Sequence, residues 1–80
     1  MTFAVRLGWI NDDKRMEYQA ARGLDVSASG MAVWTARRLR LSALVHLDVA
    51  ERGLAAVGRV RNCVPAGEGW RVGIELMPMP

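Results

Sequence analysis

Short runs of alternating apolar and polar residues are the feature that most constrains the fold of this chain. GWRVGIEL at 69–76 and LVHLDV at 44–49 both place apolar side chains at every second position. Successive side chains of a β-strand point to opposite faces, so each run predicts a strand with one buried and one exposed face. FAVRLGW at 3–9 has the same period and predicts a further strand, closed by the turn-forming NDD at 11–13.

The remaining segments are predicted by the same criteria. LAAVGRVRNCV at 54–64 predicts a strand bounded by the turn sequences ERG and PAGEG, and GMAVWTA at 30–36 predicts another. The segment 15–27 is also predicted as a strand, although its QAAR sequence is compatible with a helix. The basic stretch WTARRLRLS at 34–42 is predicted as a helical turn or a loop that crosses one end of the fold.

Short strands separated by turn clusters predict an all-β sandwich or barrel. A length of 80 residues allows one small domain. In a chain this short, closing the sheet into a barrel hides the strand edges, which favours the barrel. We therefore expect residues 1–80 to form a single domain without an internal repeat or linker.

The composition indicates a folded chain and limits the cellular compartments in which we expect it. Hydrophobic residues make up 51% of the sequence and charged residues 24%, which excludes a disordered, charge-rich segment. The single cysteine, Cys63, cannot form an internal disulfide and fits a reducing compartment. No apolar stretch is long enough to span a membrane, and Arg6 interrupts the first apolar patch where a signal peptide would be continuous. The expected location is the cytoplasm.

The sequence offers little catalytic or metal chemistry. His46 is the only histidine and lies mid-strand on a polar face, and Cys63 has no second cysteine as a partner. Asp12 and Asp13 lie in a predicted turn, where carboxylates usually face solvent. A structural zinc site needs about four clustered ligands, and a P-loop needs a glycine-rich loop followed by Lys-Ser or Lys-Thr. We therefore expect neither an enzyme nor a metal site nor a bound cofactor.

GLDVSASGMAV at 23–33 carries the best candidate site. Asp25, Ser27 and Gly30 form the pattern D-x-S-x-x-G, and the spacing of two places Asp25 and Ser27 on one face of a strand. A carboxylate accepts two parallel N–H bonds, which matches the N1 and N2 edge of guanine, and a hydroxyl adds a donor or an acceptor. Gly30 allows a positive φ or a close approach to a ligand. The same residue types also form ordinary β-turns, so the pattern alone leaves both a turn and a site open.

In its context, the D-x-S-x-x-G pattern resembles the signature of the PilZ domain family. LDVSASGMAV matches that signature, LVHLDVAERGLAAVGRVRNCV looks like the two strands that follow it, and WRVGIEL is similar to the closing strand. Leu76 stands where the family commonly has Phe. The resemblance covers nearly the whole chain. It implies a six-stranded antiparallel barrel of the split-barrel type that binds cyclic di-GMP, with Asp25 and Ser27 on a guanine edge and Gly30 shaping the loop beneath it.

The family's other motif, R-x-x-x-R, does not occur in these 80 residues. In the family it precedes the first barrel strand, where its arginines grip phosphates and stack on guanines. Here Arg15 is followed four residues later by Gln19, and Arg22 by Val26. The motif is expected upstream of Met1, or the domain works without it. Each missing charge-assisted contact would have contributed about 1.5–3 kcal/mol, so binding is expected to be much weaker without it.

Three functions follow from these observations. The resemblance favours a cyclic di-GMP receptor module that acts on a downstream effector protein or domain. The alternative is a PilZ-like adaptor that does not bind the nucleotide and works by protein contacts, with a homodimer also allowed. Its candidate contact residues are Met31, Trp34, Met77 and Met79, although core positions are favoured for the first two.

A nucleic-acid-binding barrel is the third and least favoured function. The net charge of +3, the sequence pI of about 10.0 and the clustered Arg37, Arg38 and Arg40 would attract an anionic partner. An aromatic content of only 6% leaves little for base stacking.

Overall fold

The architecture, taken from a computed structural model that describes residues 2–77, consists of six antiparallel strands and contains no α-helix within that range. The strands are β1 (Phe3–Ile10), β2 (Met16–Val26), β3 (Gly30–Thr35), β4 (Leu44–Val49), β5 (Leu54–Ala66) and β6 (Gly69–Leu76). One 3₁₀ turn, Ala50–Arg52, joins β4 to β5 and ends at Gly53, which has a φ of 59°. The all-β prediction is confirmed, and the segment after Arg15 is a strand and not a helix.

The sheet closes into a barrel with the strand order β1-β2-β3-β6-β5-β4. β1 pairs with β2 along its whole length and with β4 through Arg6, Leu7 and Gly8. Each of the six strands therefore has two hydrogen-bonded neighbours. This closure confirms the predicted antiparallel barrel and removes the exposed strand edges that a small sheet would otherwise present.

The barrel interior is filled by the apolar side chains of the alternating strands. Val33, Val49 and Val72 are fully buried, as are Leu7 and Leu47. Other core members are Phe3, Val5, Met31, Leu39, Val45, Val60 and Ile74. The period of two thus predicts the inner face correctly, because every second side chain of a strand meets the same side of the sheet.

The basic connection between β3 and β4 is a loop, not a helical turn. It crosses the end of the barrel where β3 ends and inserts Leu39, which is only 6% exposed, into the core. Its last residues are fixed by β5, since the Ser42 N–H donates to the Val60 carbonyl at 2.8 Å and the Val60 N–H donates to the Ala43 carbonyl at 3.0 Å. The loop therefore covers the core at this end of the barrel.

The turn before β6 and the position of Trp34 differ from expectation. Pro65 and Ala66 belong to β5, so the turn before β6 is shorter than PAGEG and contains Gly67, whose φ is 63°. Met31 is buried and Met77 is exposed, whereas Met79 lies outside the described residues. Trp34 is half-buried on the outer face of the barrel, because the core-facing residues of β3 are Met31, Val33 and Thr35.

Candidate functional site

A bulge in β2 turns Asp25 away from the core. Gly23 is buried and pairs with Val33, but the next pair joins Asp25 to Ala32, so Leu24 is one residue too many for β3. An extra residue shifts the alternation of a strand by one. Val26 consequently packs against the core while Asp25 is exposed. Strict alternation from Gly23 would have pointed the carboxylate into the barrel.

Ser27 lies at the start of the tight turn that joins β2 to β3. Its N–H donates to the Gly30 carbonyl at 2.8 Å, and its hydroxyl lies 3.4 Å from the same oxygen, at the limit of a weak hydrogen bond. The turn is also attached to β6, since the Leu76 N–H donates to the Ser29 carbonyl at 2.9 Å. The backbone is thus held from two sides, while the exposed Ser27 hydroxyl keeps its capacity to accept hydrogen bonds.

Gly30 is explained by close packing and not by a positive φ. The positive-φ glycines among the described residues are Gly53 and Gly67. A Cβ on Gly30 would lie 3.1 Å from the Ile74 carbonyl oxygen, so a side chain there would press on β6. Of the two alternatives that the sequence left open for Gly30, a positive φ does not occur. The close approach that glycine permits is to β6, and a role of Gly30 toward a ligand stays a prediction.

Beside Asp25, small residues form a flat strip across the outer face of the sheet. Asp25 pairs with Ala32, Ala32 with Gly73, and Gly73 with Asn62 on β5. We call these four residues the platform. Asn62 follows a second bulge, and its Oδ1 accepts the Gly73 N–H at 3.0 Å. The Asn62 side chain also lies over Gly73, since a Cβ there would meet its amide at 2.7 Å. The room for a flat group next to the Asp25 carboxylate is therefore over Ala32.

The next row of outward-facing residues on β2, β3 and β6 has larger side chains than the platform, and two of them are arginines. Arg22 pairs with Trp34, and Trp34 pairs with Arg71. The Trp34 Nε1–H donates to the Ala66 carbonyl at 2.8 Å, and a Cβ on Gly69 would lie 2.4 Å from the Trp34 ring. The indole therefore lies over the beginning of β6 and away from the platform. Sequence reasoning missed this row, because no motif contains it and only the strand register brings it together.

Comparison with models of known protein families matches residues 2–80 to the PilZ domain. This chain belongs to the PilZ domain family. The resemblance inferred from D-x-S-x-x-G and from the closing strand is thereby confirmed. PilZ domains are non-catalytic receptor domains, generally for cyclic di-GMP. A search of curated proteins finds no match to it.

The other polar groups of this PilZ domain are dispersed. His46 is exposed on β4, Cys63 is half-buried against the core, and the exposed Asp12 and Asp13 lie in the β1–β2 turn. Among residues 2–77, no three His, Cys, Asp or Glu side chains are grouped to hold a metal ion. In the same range, no helix is long and apolar enough to cross a membrane.

The basic residues after β3 contact aromatic rings and a carboxylate of the domain itself. Arg37 bonds Glu17 at 3.1 Å and lies 5.3 Å from the centre of the Trp9 ring. Arg38 lies 5.4 Å from the centre of the Trp70 ring. Cation–π contacts of this kind occupy a ring face that a nucleic-acid base would otherwise use for stacking.

Proposed function

We propose that this PilZ domain is a receptor module for cyclic di-GMP in which Asp25 and Ser27 bind a guanine edge. The observation that carries the proposal is the Leu24 bulge, which exposes the Asp25 carboxylate beside the platform. The carboxylate has no hydrogen-bond or ion-pair partner among the described residues, so both its oxygens can accept the two N–H groups of guanine.

The platform supplies the space for the base. A guanine whose edge meets Asp25 would lie over Ala32 and against the Asn62 amide, which covers Gly73. Ser27 follows on the same exposed side of the hairpin and adds a hydroxyl to the recognition of the base. Gly30 keeps the turn close to β6 and so fixes the position of Ser27. In this proposal, residues 1–80 act as one cytoplasmic unit that reports ligand binding to an effector protein or domain.

The decisive experiment is a titration of the chain with cyclic di-GMP, followed by calorimetry and by amide NMR. Asp25→Asn keeps the shape but replaces one acceptor by a donor that opposes the guanine N–H groups. We expect binding to weaken about tenfold to a hundredfold, as is typical for loss of a charge-assisted hydrogen bond.

Asp12→Asn is the matched control, since Asp12 is exposed in the turn at the other end of the barrel. This variant is expected to bind like the wild type. An absence of binding by the wild type at millimolar ligand, or equal affinity of Asp25→Asn and wild type, would overturn the proposal.

A second function, that of an adaptor, is favoured by an apolar surface on the opposite side of the barrel. Ile10 and Met16 pair across β1 and β2, and Tyr18 pairs with Gly8, which in turn pairs with His46. Ile10 is 66% exposed and Tyr18 is 56% exposed. Together with the exposed Leu44, the apolar side chains among these residues give β1, β2 and β4 exposed apolar surface of the type that binds other proteins, although Arg6 lies 4.6 Å from the centre of the Tyr18 ring.

The two functions separate when the chain is used as bait and captured proteins are identified by mass spectrometry. For an adaptor, we expect one partner to be captured equally by the wild type and Asp25→Ala but lost with Tyr18→Glu. A partner whose capture requires Asp25 and cyclic di-GMP, and tolerates Tyr18→Glu, would contradict the adaptor function.

A further inference from the structure

We propose that Arg22 and Arg71, on either side of Trp34, bind the phosphate groups of the dinucleotide whose guanine lies at Asp25. The inference rests on the proposed function and adds to it a phosphate contact that the barrel itself supplies. No arginine of this contact belongs to an R-x-x-x-R motif, since that motif does not occur in the chain.

The strand register places the two arginines symmetrically about Trp34. Arg22 and Arg71 are the β2 and β6 partners of Trp34, and both are exposed. Neighbouring strands lie about 4.8 Å apart, so the two Cα atoms are separated by about 10 Å. Each side chain is long enough to lean from that row toward the platform.

The row and the platform are adjacent. Two residues along a strand span about 6.8 Å, which is the distance from the Trp34 row to the Ala32 row on β3. Because the Trp34 indole is bonded to Ala66 and covers Gly69, it leaves the side facing the platform clear. A ligand that places a base against Asp25 therefore extends directly toward the two guanidinium groups.

The charges of these two arginines are also uncompensated. Arg6, Arg37 and Arg61 each form an ion pair, with Asp48, Glu17 and Glu75 respectively. Neither Arg22 nor Arg71 has a carboxylate within ion-pair distance among residues 2–77. A guanidinium presents five N–H donors in a planar fork that matches phosphate oxygens, so two free ones beside the platform form an anion-binding edge.

The test compares two double variants by calorimetric titration with cyclic di-GMP. Arg22→Gln with Arg71→Gln is expected to weaken binding at least about tenfold and to reduce its dependence on salt concentration. Arg15→Gln with Arg40→Gln also removes two positive charges, but from exposed sites at the other end of the barrel. This control is expected to change affinity little, which separates a local contact from an effect of net charge.

A spectroscopic signal locates the contact independently of affinity. The indole N–H resonance of Trp34 is expected to shift on titration of the wild type and to shift less in the Arg22→Gln, Arg71→Gln variant. Equal weakening by both double variants, or none by either, would overturn the inference. If Asp25→Asn loses binding while Arg22→Gln, Arg71→Gln retains it, the receptor function stands and the phosphate contact is wrong; a wild type that does not bind overturns both.

Discussion

At the residue scale, the tightest constraint lies next to the candidate site, where Gly23 faces Phe3. A Cβ on Gly23 would lie 2.1 Å from the Phe3 ring, and Phe3 is a buried core residue. Arg52 lies 4.6 Å from the centre of the same ring, so the ring is enclosed between a glycine and a guanidinium. Gly23 therefore serves packing, whereas Asp25, two residues later, is free to serve a ligand.

Gly23→Ala is expected to destabilise the domain by about 1–3 kcal/mol, because the added methyl overfills the site of Phe3. The free energy of unfolding is measured by urea denaturation. Gly8→Ala is the matched control, since its Cβ would meet the Tyr18 side chain at 3.0 Å and that side chain is exposed and can move. Phe3→Leu in the Gly23→Ala background is expected to recover part of the loss. If Gly23→Ala were as stable as Gly8→Ala, the Phe3 ring would be free to move aside, which would contradict this prediction.

At the element scale, the sequence predicts the strands well and their irregularities poorly. The inward positions of β4 and β6 follow directly from their alternation, because each has an uninterrupted period of two. The bulges at Leu24 and Arg61 have no comparable signal, since a bulge is visible only when the register of the partner strand is known. Asp25 could thus be chosen from its motif, but its direction depended on Leu24.

Deleting Leu24 tests the importance of the bulge. Without Leu24, Asp25 follows Gly23 directly, so strict alternation keeps Asp25 outward opposite Ala32 and Val26 inward opposite Met31. We therefore expect the deletion to fold and to lose only about 1 kcal/mol of the free energy of unfolding, measured by urea denaturation, since Leu24 is half-buried.

Leu24→Ala is the matched variant for lost leucine packing. It retains the bulge and is expected to lose a similarly small free energy of unfolding, because Leu24 is only half-buried. A deletion variant that is much less stable than Leu24→Ala would contradict the account given for the bulge.

At the scale of the whole molecule, the class of fold was predictable and the composition of the outer face was not. Period-two runs and turn clusters predict how many strands there are, and the short chain favours closing them. The contact of β1 with β4 and the row of Arg22, Trp34 and Arg71 join residues far apart in sequence. The sequence favours a core position for Trp34 over an exposed contact position, but its parity with Ala32 places it on the outer face. Which residues become neighbours on the outer face depends on how the strands pair, and the sequence of one strand does not specify its partner.

The even number of antiparallel strands also decides where the chain enters and leaves the barrel. β1 begins at Phe3, opposite Gly23, and β6 ends at Leu76, whose N–H donates to the Ser29 carbonyl at 2.9 Å. Both points therefore lie at the end that carries the β2–β3 turn. A domain fused ahead of β1 or after β6 would be tethered within reach of a nucleotide at Asp25. Such a domain would contact the bound nucleotide directly, without a change in the shape of the barrel.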